Sequence, residues 1–346
     1  MKPFKSQRTQ KSFFDTQIYD RLIPQDHILV RLNRIIDWSF LEEECRQYYS
    51  QLGKKGESPV KLFKMLLLAY LYDRSEREIE EDCTLNLAFK YFLGLEADEA
   101  APDHSTLSRF RDRIGVEGFK AIFNHIVGLA RQKGLVSDKL RIVDSTHLQA
   151  NVDVFKAMKR SATPRIEDEK VHASMDKASI PGSPDPDARK GRKSKKKKFF
   201  GYKHHIGVDS KHDFITNSGT SGGNIHDNDF LIEMVSGPPP EALTADKGYD
   251  SQYNHQQLKK RGTESYIIRK KRSKIPADPE YQRASKQRKR VERVFAVIKK
   301  YHSGGRARYW GRLKVTIQNL IIDTVYDLKI LAIVLTKPPG EVCAVH

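Results

Sequence analysis

The sequence predicts a mixed α/β domain preceded by an all-helical one. Three observations carry that reading. From about residue 27 to 135, apolar residues recur at three- and four-residue steps. At Leu140–Asp144 the period changes to a short β-prone run that ends in an acid. Beyond about residue 200, further runs of that kind alternate with amphipathic helical stretches.

Length and charge frame the rest. The chain has 346 residues, enough for two domains and a sizeable core. Its formal charge is +18 and its basic residues are clustered, which points to a polyanionic partner, most simply nucleic acid. The plain alternative is a basic, well-solvated surface with no such partner. Three scattered cysteines without a Cys-x-x-Cys pair fit a reducing compartment and give neither a disulfide frame nor a thiolate zinc site. The opening MKPFKSQRTQKSFF is basic and lacks an apolar signal core. The longest apolar runs, near Leu66–Leu71 and Leu331–Leu335, are too short to span a bilayer. The expectation is a cytoplasmic, nucleoid-associated protein with no membrane partner.

In chain order, residues 1–20 read as a mobile basic arm and 21–135 as a helical domain. Ile28, Leu29, Leu32, Ile35 and Ile36 mark one helix. Ser58-Pro59 sits where an N-cap and first helical position belong. Ser75-Glu-Arg-Glu78 has capping-box spacing. After the turn at 101–106, LSRFRDRIG sets Arg109, Arg111 and Arg113 on a helix. Two readings stand for it: a helix–turn–helix-like DNA reader, or a packing helix with a basic face. Residues 136–346 form the α/β domain. Within it, residues 151–200 lack a sustained apolar stripe, carry four prolines and end in a lysine tract that includes Lys195, Lys196, Lys197 and Lys198. This stretch is expected to be a disordered insertion, with the tract either tracking phosphates or serving as a solubilising run.

From Leu140 onward the order is strand, insertion, strand hairpin, helix, strand, helix, strand, helix. A hairpin added to a strand–helix alternation is the order of a ribonuclease-H-like sheet flanked by helices. In that arrangement Asp144 and Asp246 end neighbouring central strands. The helix at about 280–302 then packs across them. Its Val291, Val294, Phe295, Ile298 and Tyr301 make an apolar face, and Arg288, Glu292 and Lys299 lie along the border. Two aspartates fixed by strand ends and a longer glutamate reaching from a helix suit hard divalent cations. Two such ions about 4 Å apart can activate one oxygen and stabilise another in an in-line displacement. Asp209 is set one strand out from the centre, and Asp153 and Asp227 are set in loops or helix starts, so none of these is chosen.

At these residues the sequence resembles the DDE transposases of bacterial insertion sequences, in the superfamily containing groups four and five. RIVDSTH holds the first acid, LTADKGYDS the second, and RKRVERVFAVIKKYH the third with Arg-x3-Glu-x6-Lys spacing. Ser285 stands where that family's signature has a tyrosine. The short separation of the second and third acids (292 − 246 = 46) is similar to group five. SPVKLFKMLLLAYLY, DHSTLSRFRDR and GNIHDND resemble further family segments. The resemblance implies cleavage at terminal inverted repeats and joining of 3′-hydroxyl ends to target DNA, by a homodimer on DNA. It implies two Mg²⁺ or Mn²⁺ ions per site, held by Asp144, Asp246 and Glu292, with Lys247, Arg288 and Lys299 on phosphates. A catalytically retired DNA-binding descendant and a nuclease that does not join strands are the rivals. Among His204, His205, His212 and His226 no regular ligand spacing supports zinc; His226 is a candidate DNA contact. Trp310, beside Tyr309, either stacks on an extruded base or packs between the last two helices.

Overall fold

In the computed structural model, residues 3–6, 13–161, 178–192, 197–270 and 278–335 are described. The chain forms two compact units, residues 1–130 with 321–346, and residues 131–320.

The first unit is helical: α1 (Phe13–Leu22), α2 (Ile28–Ile35), α3 (Phe40–Cys45), α4 (Pro59–Leu71), α5 (Glu76–Leu85), α6 (Leu87–Leu93) and α7 (His104–Gln132), which ends just past its boundary. The expected basic arm is corrected from residue 13 on. Tyr19 on α1 and Ile23 just after it bury with Val30, and Phe4 is buried with a bridge to Gly56. Residues 1–2 and 7–12 lie outside the described residues. The capping box forms: Ser75 Oγ accepts from Glu78 N at 3.3 Å, and Glu78 Oε2 accepts from Ser75 N at 2.8 Å. Ser58 precedes α4 without a side-chain cap, so Pro59 alone supplies the start signal there. Gly115, at φ +64°, divides α7 into two helical pieces.

The second unit contains β1 (Leu140–Gln149), α8 (Val154–Ser161), β2 (Arg189–Arg192), β3 (Lys198–Asp209), β4 (Ile215–Gly222), α9 (Asp227–Phe230), β5 (Ala242–Ala245), α10 (Gln252–Lys260), β6 (Glu264–Ser265), α11 (Pro279–Gln287), α12 (Lys289–Tyr301) and the start of α13 (Arg312–Val334). The sheet order is β2-β3-β1-β5-β6, with β4 also on β3. β1 runs antiparallel to β3 and parallel to β5. This is the mixed, ribonuclease-H-like sheet that the element order predicts. The strand at SYIIR is short, but its ladder continues through Tyr266 N to Leu243 O (2.8 Å) and Ile268 N to Ala245 O (3.0 Å).

Residues 151–200 correct a second expectation. α8 and β2 lie inside that stretch, and β2 pairs with β3. Ala157, Ile180, Ala188 and Phe200 bury with Leu148, Tyr202 and Val315. Buried Asp185 accepts from Tyr202 Oη at 2.6 Å and from Gly311 N at 3.1 Å. Single apolar residues at wide intervals and one buried carboxylate fold this stretch, which is why no stripe betrays it. Residues 162–177 and 193–196, including Lys195 and Lys196, lie outside the described residues. No helix of the described residues is long and apolar enough to cross a membrane.

Candidate active site

β1 is longer than its β-prone run, so Asp144 lies mid-strand. Its position is set by where β5 stops. Val143 pairs with Ala245, the last residue of β5, and Asp144 and Asp246 follow side by side. Past that point β1 continues on β3 alone as far as Gln149. The two aspartates thus stand where the sheet opens between its central strands. Asp246 is held by its own turn, its Oδ1 accepting from Lys247 N at 2.8 Å.

Neighbouring residues of a strand point to opposite faces, and here the two faces have different covers. On the Asp144 face lies α12. Phe295 meets the His204 ring edge-on at 6.1 Å, and Lys299 Nζ bonds Thr146 Oγ1. Arg290 Nε and Arg293 Nη2 clasp Asp213, in the β3–β4 turn, at 2.6 and 3.5 Å. Arg288, at the junction of α11 and α12, reaches Asp144 Oδ2 at 3.4 Å and Glu292 Oε1 at 2.9 Å. One guanidinium therefore links the first and third acids. The Glu292 side chain is 59% exposed, and that of Asp144 is 20% exposed.

On the Ser145 face lie α9 and the turn after β5. Ser145 N donates to Asp144 Oδ1 at 2.8 Å, and Ser145 Oγ donates to Asp227 Oδ1 at 2.9 Å. Lys203 Nζ also reaches Asp227 Oδ1, at 2.9 Å. Tyr249 is buried in the core beneath, with Val143, Phe230, Leu243 and Leu258. Burial first, and then the charges of Asp227, Asp144 and Asp246, push its hydroxyl well above the ordinary phenol range, while hydrogen bonding to its neighbour Ser145 pulls the other way.

Burial pushes the Asp144 carboxyl up to about 6; the Ser145 N–H and Arg288 pull the other way, and the charges of Asp246 and Asp227 add to the rise. A carboxylate crowded by other carboxylates at a sheet opening is a site whose charge a cation relieves. All the donors are oxygens, which fits a hard divalent ion and not a soft one. The acids are gathered without closing: among the described residues, no three ligand atoms of Asp144, Asp246, Asp227 and Glu292 lie within 4.8 Å of one another, as those of Glu80, Asp103 and His104 do. That other group is a helix-start brace. Glu80 Oε2 takes the His104 N–H at 2.9 Å and contacts its ring Nδ1 at 2.6 Å, while Asp103 caps Ser105.

The remaining candidates are scattered. Lys247 and His226 are exposed near the opening, each beside one of the aspartates in sequence. Arg109 and Arg113 are exposed on α7, Arg113 lying over the Tyr49 ring at 4.4 Å. Arg111 departs from expectation: it is buried and ion-paired with Glu76, so it packs the helices and does not present a free guanidinium. Trp310 is 52% exposed, and its Nε1 donates to Asn151 O at 2.9 Å. Lys198 is exposed at the start of β3, and Lys197 just precedes it. His205 is buried against Phe230 and bonded to Ser221, a core histidine whose pKa burial lowers to about 3. Asp209 accepts from Ser137, Asp138 and Lys211 backbone N–H groups and braces a turn. Sequence reasoning set Asp227 aside as a helix start. The signal that finds it is topological: β4 runs parallel to β1, so the turn after β4 returns to the same end of the sheet.

Comparison with known families agrees with this geometry. A family model described as Transposase DDE domain matches residues 137–328. A second, described as Transposase domain (DUF772), matches residues 17–113. No solved structure matches the chain. The sheet, its acids and the helical unit before it thus belong together: the chain is a member of the DDE transposase family of insertion-sequence type, DNA transposases that use divalent metal.

Proposed function

We propose that this transposase cleaves DNA at the terminal inverted repeats of its element and joins the 3′-hydroxyl ends to target DNA, in one site built on Asp144, Asp246 and Glu292. The observation that carries the reading is the adjacency of Asp144 and Asp246 at the opening between β1 and β5, with Glu292 tied to Asp144 through Arg288. The three acids would hold two Mg²⁺ or Mn²⁺ ions. When bound, such ions supply an activated oxygen nucleophile and stabilise the leaving oxygen.

The chain's own groups do the rest. The sheet fixes the two aspartates, and α12 carries the glutamate across them. Arg288 and Lys247 are near enough to this opening to meet phosphate oxygens beside the scissile bond, with Lys299 two helical turns beyond Glu292. His226 and Trp310 would contact the DNA flanks. The helical unit, through Arg109 and Arg113, would bind the element ends, and Lys195–Lys198 would track phosphates. Two chains on two ends form the working dimer. The spacing of the second and third acids supports a reading as group five.

The test uses labelled DNA carrying the terminal repeats. Asp144→Asn, Asp246→Asn and Glu292→Gln are each expected to abolish metal-dependent cleavage and strand joining while leaving end binding intact. Cleavage retained by any one of them overturns that residue's assignment.

A further inference from the structure

The opening holds one carboxylate more than the three acids account for, and it comes from the opposite face of the sheet. We propose that Asp227 is a positioning residue of the three-acid site that sets its affinity for divalent cations, with Lys203 as the counter-charge that tempers it. The inference rests on the metal-binding reading of Asp144 and extends it to a residue outside the three-acid motif.

Ser145 carries the connection. Its backbone N–H holds Asp144 Oδ1 at 2.8 Å, and its hydroxyl holds Asp227 Oδ1 at 2.9 Å. One residue therefore ties both carboxylates across the sheet and keeps their charges close together. Lys203 takes the same oxygen of Asp227 at 2.9 Å and donates to Ile225 O at 2.7 Å, so the lysine is itself fixed by the loop that delivers Asp227. The segment is pinned from its other side by Asn254, whose Nδ2 donates to Asn228 O at 3.1 Å and Tyr249 O at 3.0 Å.

Tyr249, 1% exposed, lies beside the same serine and the same two aspartates. The plain alternative is that Lys203 and Asp227 form an ion pair that only fastens the loop.

Charge and bracing predict different signs, which makes the two separable. In the charge reading, Asp227 adds negative field at Asp144 and Lys203 subtracts from it. In the bracing reading, removing either partner loosens the same pair. The experiment is Mn²⁺ binding to the full-length chain without DNA, at pH 7.5, read by the electron-spin-resonance signal of free Mn²⁺. Wild type is compared with Asp144→Asn, Asp227→Asn and Lys203→Gln. Asp227→Asn keeps an acceptor for Ser145 and Lys203 and loses only the charge; it is expected to weaken binding about tenfold, the effect of losing one unit charge close to the ion. Lys203→Gln is expected to tighten binding severalfold. Unchanged binding in Asp227→Asn, or weakened binding in Lys203→Gln, overturns the proposal. If Asp227→Asn does not fold, the sign of the Lys203→Gln effect decides alone. Absence of any Mn²⁺ binding that Asp144→Asn removes would overturn the metal reading of the site itself, and this inference with it.

Discussion

Asp144→Asn should make the metal-free protein more stable. Asp144 has its carboxyl pushed from the ordinary 3.8 up to about 6, first by burial and then by the neighbouring aspartates. Between those two values the folded state holds a proton that the unfolded state has released. Stability therefore falls as pH rises through that window, and the deficit is complete above 6. A displacement of that size corresponds to about 3 kcal/mol. The side chain is 20% exposed, so solvent screening brings the expected gain from asparagine to about 2 kcal/mol. For a unit of this size that is a rise of about 4–8 °C in melting temperature. The assay is thermal unfolding in chelator at pH 8 and pH 4.5. The gain should fall to about a third at the lower pH, where most of the unfolded carboxyl is still near its titration point. Added Mg²⁺ should raise the wild type and leave the variant unmoved. An asparagine variant that is less stable at pH 8, or equally shifted at both pH values, would refute the argument that the metal-free fold carries this buried carboxylate at a cost.

Other outcomes follow from single features. Gly201 has φ +154°, and a Cβ there would stand 2.2 Å from Leu148 O and 2.6 Å from Ala150 N. Gly201→Ala should therefore separate β3 from β1, lowering stability by about 3 kcal/mol or more in a denaturant titration. Asp250 is pushed up by burial, but bonds from His255, the Lys270 N–H and Arg269 outweigh that and hold it at about 2. Its contribution is present above the ordinary carboxylate value and is lost as pH falls from about 4 to about 2. Asp250→Asn should thus narrow the difference in stability between pH 6 and pH 3, measured by chemical unfolding. Changing Lys195–Lys198 to glutamine should lower the salt slope of DNA binding by up to about 0.9 per lost phosphate contact; an equal slope makes the tract a bystander.

The sequence carried the sheet and its central acids well because both are properties of element order. Runs ending in Asp144 and Asp246, with one hairpin between them, leave few ways to arrange a mixed sheet. Residues 151–200 were opaque for a physical reason. Their apolar residues are single and far apart, so Ile180 and Ala188 bury against partners such as Phe200 and Val315 that no local period announces. Arg111 departs from the basic-face reading because a two-residue step on a helix turns it away from the face of Arg109 and Arg113, toward its partner Glu76 on another helix. In sequence Asp227 reads as a helix start, which explains an aspartate locally. Only the register of β1, β3 and β4 shows that this start lies behind Asp144.

The third acid differs in kind from the first two, and the difference is testable. The sequence predicts one helix from about 280 to 302; the structure interrupts it at Arg288, which keeps helical dihedrals (φ −51°, ψ −34°) between α11 and α12. Arg288 and Glu292 remain one turn apart on one face. The helix below them is anchored at three levels, by Asp213, by the His204 ring and by Thr146. The backbone under Glu292 is thus held at three points, yet its side chain is 59% exposed and reaches outward to Arg288 at 2.9 Å. Adjustability here lies in the side chain alone, in the one extra methylene that glutamate has over aspartate. Glu292→Asp keeps the charge and should still bind DNA ends, but it draws the carboxylate back by about 1.5 Å, the length of one C–C bond. Misplacement on that scale costs about a hundredfold in rate. Cleavage by Glu292→Asp is therefore expected to fall about as far as that of Glu292→Gln. A variant that cleaves at near wild-type rate would mean that charge on this face of α12 suffices, and that reach from the helix is not what the third acid provides.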